Sequence, residues 1–384
     1  MSDERTYDIV VFGATGFTGK LVAEYLAASD ESFSWAIAGR SEAKLAQVRT
    51  DLGLGDDVGV IAADSSDREA LQAMTSQTRV LLTTVGPYQK YGEPLVAACV
   101  ETHTHYADIT GEPEFVNGLL ARYDEVARDR QLRIVNCCGF DSIPHDLGAY
   151  MMVQELADDG KVKLEGFVSA SGTFSGGTWQ SAVNAMGRST KQGRPPRRAL
   201  APGRTVRGLK PSPHYESAVK GWVAPMPTID PQVVLRSARA LPVYGKAFRY
   251  GHYLRVGSLP KLVALGFGVG SVFGLAQLPP TRKLLLKMRP SGAGPTPEER
   301  ARAHFRVTFV GTDGERRLVG QASGGDPGYG ETSKMVSESA LCLALDADQL
   351  PENYGVVTPA MAMGDRLLER LRAAGMGFEI LDRS

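Results

Sequence analysis

The heptapeptide Gly13-Ala14-Thr15-Gly16-Phe17-Thr18-Gly19 follows the apolar run Tyr7–Phe12 and opens a helical pattern. Glycines at this spacing let backbone amides approach a pyrophosphate, and a helix starting near Phe17 points the positive end of its dipole at the same charge. The next apolar run, Ser34–Ala38, leads into Gly39-Arg40-Ser41, where a dinucleotide fold places the residue that meets the adenosine ribose. An NAD site usually puts a carboxylate there. The guanidinium of Arg40 and the hydroxyl of Ser41 are donors that suit a 2′-phosphate, so the pattern reads as NADP(H); the plainer alternative makes Arg40 a solvated residue at a helix start. Asp64, after the third apolar run, and Thr84, Gly86 and Pro87, after the fourth, complete the residues expected around NADPH.

Groups able to handle a proton fall just beyond the same runs. Tyr88 and Tyr91 follow Thr84-Val85-Gly86-Pro87, and either hydroxyl would serve to polarise a carbonyl or donate a proton; half-buried packing is the alternative. Asp108 and Glu112 follow the fifth run, and Cys137-Cys138-Gly139-Phe140-Asp141-Ser142-Ile143-Pro144-His145 follows the sixth. Asp141 is a candidate acid or base and His145 titrates near neutrality, but Asp141 and Ser142 also suit a helix start, and His145 would then sit in its first turn. Cys138 reads as an inert buried thiol. No metal-ligand cluster and no nucleophile elbow are visible, and hydride transfer requires neither.

These residues need a scaffold that delivers loops to one edge. Short β-rich runs alternate with amphipathic helical patterns through the first third of the chain, which implies βαβ units, a parallel doubly wound sheet and chemistry at the strand carboxyl ends. After Pro144 the rhythm changes. Residues 162–171 alternate as a strand, 178–186 read as a helix, and 305–310 pair with 317–322 across Gly-Thr-Asp-Gly, which predicts a second α+β domain with a mostly antiparallel sheet. The expected division is 1–145 as a Rossmann-like NADP-binding domain completed by 346–384, with 146–345 as the substrate domain. Residues 193–297 are rich in Gly and Pro and receive no assigned elements; helical patterns return at 331–345 and 358–374.

The 384 residues have a net charge of zero, yet 188–297 hold 19 Lys/Arg against two acids, so that stretch carries +17 and the remainder −17. Such asymmetry suits an anionic partner, either a membrane surface or an acidic carrier protein; solvated loop arginines are the alternative. Nucleic acid is set aside, since no binding motif accompanies the charge. Residues 262–281 lack any charge and approach the length of a membrane span, but four glycines and Pro279-Pro280 argue for a segment that lines an apolar pocket or dips into an interface. Four cysteines without C-x-x-C spacing and a polar, acidic start at Met1 point to a cytoplasmic protein, with peripheral contact at the inner face of the plasma membrane as the extension of the charge argument.

Taken in order, Asp-Ile-Val-Val-Phe-Gly-Ala-Thr-Gly-Phe-Thr-Gly, Ala-Gly-Arg-Ser, Thr-Val-Gly-Pro-Tyr, Tyr-Ala-Asp-Ile-Thr-Gly-Glu, Gly-Phe-Asp-Ser-Ile-Pro, Phe-Ser-Gly-Gly-Thr, Gly-Asp-Pro-Gly-Tyr and Thr-Pro-Ala-Met-Ala-Met-Gly-Asp resemble the saccharopine dehydrogenase superfamily, and more narrowly its trans-acting enoyl reductase branch. The resemblance implies NADPH-dependent reduction of the α,β-double bond of a carrier-bound polyketide or fatty acyl thioester, in trans to a polyketide synthase, as in phthiocerol-type lipid assembly. It also implies a lipid-like substrate presented on an acyl carrier protein. Tyr88 or Tyr91 would stabilise the enolate oxygen, and an acid such as Asp141 or His145 would protonate the α-carbon. Two other readings remain open: an imine or carbonyl reductase for a small substrate, as in the parent family, and a lipid-associated nucleotide-binding protein without turnover.

Overall fold

A computed structural model describes residues 5–156, 160–171, 183, 200–287 and 294–383. They form two compact units, the first from residues 1–140 and 329–374, the second from 141–328 and 375–384.

The first unit is built on a seven-stranded sheet of β1 (Tyr7–Phe12), β2 (Trp35–Gly39), β3 (Gly59–Ala62), β4 (Thr78–Thr83), β5 (His105–Asp108), β6 (Arg133–Val135) and β14 (Gly355–Val357), in the order β14-β6-β5-β4-β1-β2-β3. Every pairing is parallel. A sheet covered on both faces needs apolar residues at consecutive positions, and Ile9, Val10 and Val11 are wholly buried in turn. Helices α1 (Phe17–Ala27), α2 (Glu42–Asp51), α3 (Arg68–Thr75), α4 (Tyr88–Thr102) and α5 (Pro113–Asp129) connect the strands. The chain reverses its direction of travel between β1 and β4, so the loops after these two strands flank the crevice where such folds bind ligands.

Helix 330–345 also belongs to this unit, not to the second domain as the sequence division had it. Polar contacts explain its place: Tyr25 of α1 donates to Glu338 at 2.6 Å, and the buried Arg370 of helix 359–373 reaches Glu338, Asp346 and Glu31.

The second unit carries the strands β7 (Lys161–Ala170), β8 (Thr205–Gly208), β9 (His214–Glu216), β10 (Gly221–Pro225), β11 (Ala247–Gly257), β12 (Phe305–Thr312), β13 (Arg317–Gly324) and β15 (Gly377–Arg383). They run β15-β13-β12-β7-β11-β10-β9, with β8 also on β11. The sheet is mixed: β11 pairs in parallel with β7 and β8, and the other pairings are antiparallel. Its last strand, 377–383, had been expected in the first domain. The boundary falls after Phe140 instead of residue 145, so Asp141, His145 and α6 (Ile143–Leu156) belong to the second unit.

The Gly/Pro-rich region left unassigned by sequence contains β8 to β11, α7 (Asp230–Ala240), α8 (Leu259–Gln277) and α9 (Pro279–Lys287). Proline at the second position of α7 and α8 starts each helix, where its missing amide costs nothing. Of the helix expected at 178–186 only Val183, helical and buried, is among the described residues, and the arginines from 188 to 198 lie outside them.

Candidate active site

In the first unit the turn after β1 is held by crowding that only glycine tolerates. Gly13 has φ +97°, and a Cβ there would meet Val85 Cγ2 at 2.6 Å. A Cβ on Gly19 would lie 2.1 Å from the Gly13 carbonyl oxygen, which seats α1 directly against the turn, and one on Gly16 would lie 3.3 Å from the same oxygen. Gly16 is the N-cap of α1 and supplies no side-chain acceptor. A bare, close backbone at the positive end of a helix dipole fits a pyrophosphate. Thr15 packs over Gly39, Thr18 sits half-buried in the first turn of α1, and Phe17 stands edge-on to Tyr329 with ring centroids 4.8 Å apart.

Beyond β2, Arg40 is exposed, and among the described residues its guanidinium makes no hydrogen bond. Ser41 caps α2 by accepting from the Lys44 amide at 3.4 Å, which leaves its O–H proton for another acceptor. The Ser66 hydroxyl and amide, at 2.7 and 2.8 Å, hold the Asp64 carboxyl below its usual range, and the Arg40 charge adds to the effect. Thr84 leans on the cradle, its hydroxyl 3.5 Å from the Gly13 carbonyl. Gly86 and Pro87 are joined by a cis peptide, and Pro87 caps α4.

The two tyrosines separate. Tyr88 is 6% exposed, donates to the Thr83 carbonyl at 3.2 Å and accepts from the Ile109 amide at 3.4 Å, and burial drives its phenol well above the ordinary range. Its hydroxyl is spent inside the unit, so the packing alternative describes it, not the role of proton donor. Tyr91 is half-buried; its ring carries the Lys90 ammonium at 4.8 Å, and its hydroxyl makes no hydrogen bond among the described residues.

The carboxylates at the sheet edge are structural. Asp108 is fully buried and accepts from the Thr110 and Cys137 amides, the Asn136 amide group and the Tyr106 hydroxyl, at 2.7 to 3.1 Å. Burial nonetheless raises its carboxyl to about 6, because neutral donors only partly replace water. Glu112 accepts from the Tyr88 and Gln89 amides at 3.0 Å, serving the first turn of α4 as a cap borrowed from another loop. Cys138 is buried, with its thiol on the Val135 carbonyl at 3.6 Å.

In the second unit α6 begins at Ile143, and the first amide bonds go to the Ser142 carbonyl. Asp141 is half-buried and makes no side-chain hydrogen bond among the described residues, so it does not take the capping role that its place before the helix suits. Burial first, then the nearby Asp230, push its carboxyl up to about 6, partly offset by His145. His145 is 2% exposed and lies 2.9 Å, Nδ1 to Oδ1, from Asp230, whose other oxygen is 3.5 Å from His252 Nε2 and accepts from Thr228. The imidazole side chains and the Thr228 hydroxyl outweigh burial and hold Asp230 well below the usual range, while burial pushes His252 down to about 3. The sequence showed no cluster of metal-ligand type, yet these three offer nitrogen and oxygen atoms within 4.8 Å of one another. Their separation along the chain hid them. The available signal was that Asp230 is the one carboxylate between Glu216 and Glu298. His145 is thus buried against Asp230 and His252 instead of presented to a ligand.

The family model of the saccharopine dehydrogenase NADP binding domain matches residues 9–135. A trans-acting enoyl reductase of Mycobacterium ulcerans is 35% identical over 98% of this chain and 98% of its own length. One of Mycobacterium tuberculosis is 37% identical over 97% of each chain, and a second protein of that organism, named for the same activity, is 41% identical over 98% of this chain and 97% of its own. The chain belongs to the trans-acting enoyl reductase family. Saccharopine dehydrogenase (L-Glu forming) of Saccharomyces cerevisiae, at 14% identity and a TM-score of 0.58, covers 98% of this chain and 99% of its own and shares the fold.

As in that family, the first unit is an NADP-binding domain and the chain is an NADP-dependent oxidoreductase. When bound, the reduced nicotinamide supplies a hydride. Gly13, Gly16 and Gly19 would hold the pyrophosphate, with Arg40 and the Ser41 hydroxyl toward the 2′-phosphate.

Proposed function

We propose that this enoyl reductase relative reduces the α,β-double bond of a fatty acyl or polyketide thioester carried on an acyl carrier protein, in lipid biosynthesis and in trans to a polyketide synthase. The observation that carries the reading is the glycine cradle followed by an uncommitted Arg40, within a chain matched end to end by relatives named for that activity. Reduction needs a hydride at the β-carbon, a donor for the thioester oxygen as it becomes an enolate, and a proton for the α-carbon. Tyr91 supports the second requirement, since its hydroxyl is uncommitted while that of Tyr88 is consumed. Asp141 supports the third, since its carboxyl, raised to about 6, still carries protons near neutrality. His145, held 2.9 Å from Asp230, acts as a positioning residue for this corner of the second unit.

Oxidation of NADPH followed at its absorbance band, with enoyl thioesters on a carrier protein set against keto acids with amines, tests the reading. Consumption with the enoyl thioesters, falling at least about tenfold in Tyr91→Phe with NADPH affinity kept, is the expected result. Consumption only with keto acid plus amine would replace it with imine reduction, and NADPH binding without turnover on any of these substrates would leave a nucleotide-binding protein.

A further inference from the structure

Helix α8 has a surface that nothing described in its own unit covers. Over its 19 residues only Ala276 is buried; Phe267 is 76% and Phe273 54% exposed, with Leu259, Val263, Val269 and Leu275 exposed beside them. Leu278 and Leu284, in the turn and in α9, extend the patch. The pocket-lining alternative from the sequence therefore fails. The helix is anchored where Val272 and Ala276 meet Leu285 and Leu286 of α9 and the buried Val183, and where it lies against β10 and β11, while its glycines 266, 268, 270 and 274 face open space. A contiguous apolar patch of this kind marks a surface meant to leave water.

We propose that α8 and α9 form a docking element for the surface of an anionic lipid bilayer, with α8 lying in the headgroup region and its phenylalanines among the acyl chains. Charge selects this occupant. Lys261 and Lys283 are exposed at the two ends of the patch, Arg282 follows the turn, and no carboxylate occurs between Asp230 and Glu298. Basic flanks around an apolar helix match anionic headgroups over hydrocarbon. A second copy of the chain meeting the same face would bring like charges together. An acidic carrier protein would satisfy the cations but leave the aromatic face without a counterpart.

Connectivity argues for lying on the membrane instead of crossing it. By length and composition α8 could span. The chain leaves the sheet at Gly257 of β11 and returns to the same sheet at Phe305 of β12, so crossings would have to come in pairs, and α8 is the one helix among the described residues long and apolar enough. A docked reductase would meet lipid-like acyl substrates where they partition, although the docking surface stands without that reading.

Flotation of the full chain with vesicles of phosphatidylcholine alone, and of phosphatidylcholine with phosphatidylglycerol, tests the proposal. At low salt the chain should float with the anionic vesicles at least about tenfold better than with the neutral ones, and added salt should weaken the association. Phe267→Ser with Phe273→Ser should abolish flotation while leaving the melting temperature and NADPH binding as in the parent, because both side chains are more than half exposed; Lys261→Glu with Lys283→Glu should remove the preference for the anionic lipid. Failure to float with either vesicle, or equal flotation of the double serine variant, overturns the proposal. A parent that is dimeric by light scattering in solution, and monomeric only in the serine variant, would assign the face to a second copy instead.

Discussion

The approach to α1 and the body of α8 are rich in glycine for opposite physical reasons. At α1 the glycines are demanded by contact: the backbone of Gly19 lies so near Gly13 that no Cβ fits, and Gly13 itself is left-handed. At α8 four glycines have nothing within 4 Å, and the helix forms although each costs about 1 kcal/mol against alanine with no packing to offset it. Glycine reports a ligand only where something else comes close. Where nothing does, it marks a surface whose partner lies outside the chain.

The contrast breaks first at Gly19. Gly19→Ala places a methyl 2.1 Å from a backbone oxygen that cannot swing away, so α1 must lift from the β1 turn. Expected are a loss of about 2–4 kcal/mol in urea unfolding and a loss of NADPH binding beyond about a hundredfold by fluorescence titration. A variant that binds NADPH like the parent would mean that the crowding is not what shapes the cradle.

Arg40→Ala is a smaller change confined to one end of the same cradle. With the 2′-phosphate deprived of its charge-assisted donor, NADPH affinity should fall about 10- to 100-fold while NADH affinity stays level. Equal loss for both cofactors would place Arg40 elsewhere on the nucleotide.

The two units also bury their ionisable groups differently, and pH separates them. His252 is kept neutral in the fold, pushed from 6.5 to about 3 by burial, so below about pH 6.5 the unfolded chain binds the extra proton. Its contribution is complete above pH 6.5 and is lost as pH falls through that range toward 3, by about 2 kcal/mol at pH 5. Asp108 in the first unit has the opposite sign. Raised from 3.8 to about 6, it contributes fully below the unfolded value and loses that contribution as pH rises to about 6. Measured by urea unfolding between about pH 5 and 7.5, His252→Asn should gain on the parent as the solution is acidified, and Asp108→Asn should gain as it is made neutral. Parallel curves for parent and variants would show that neither group changes its protonation on folding.

How much of this was legible in the sequence follows from the range of the interactions. The cradle, the six strands before Pro144 and their parallel arrangement could be read because each rests on local pattern: apolar runs, a glycine turn, the βαβ alternation. The elements between residues 200 and 287 could not, because Gly and Pro there signal breaks while long-range pairing on β11 imposes strands regardless. Tyr88 and Tyr91 looked alike, since only the fold decides that one hydroxyl finds Thr83 and the other does not. Glu112 as a cap for α4, 24 residues back from its own position to Tyr88, and the His145–Asp230–His252 trio are contacts that no spacing rule encodes. Helix 330–345 was found by its period but given to the wrong unit, because its partners Tyr25 and Arg370 lie on either side of it in sequence.

The smallest expected effect closes the comparison from the side of α8. Gly270→Ala adds a methyl into open space within a helix, so the expected change is a gain of up to about 1 kcal/mol from helix propensity, with NADPH binding unchanged. The same substitution at Gly19 is expected to destabilise by several times that amount, although both positions are helical glycines with ordinary backbone angles. A destabilised Gly270→Ala protein in vesicle-free buffer would mean that the face is already covered in solution by another protein surface. A gain there, together with unaltered flotation on anionic vesicles, would mean that the glycines neither shape a protein interface nor set the depth of docking, leaving Phe267 and Phe273 to carry the contact.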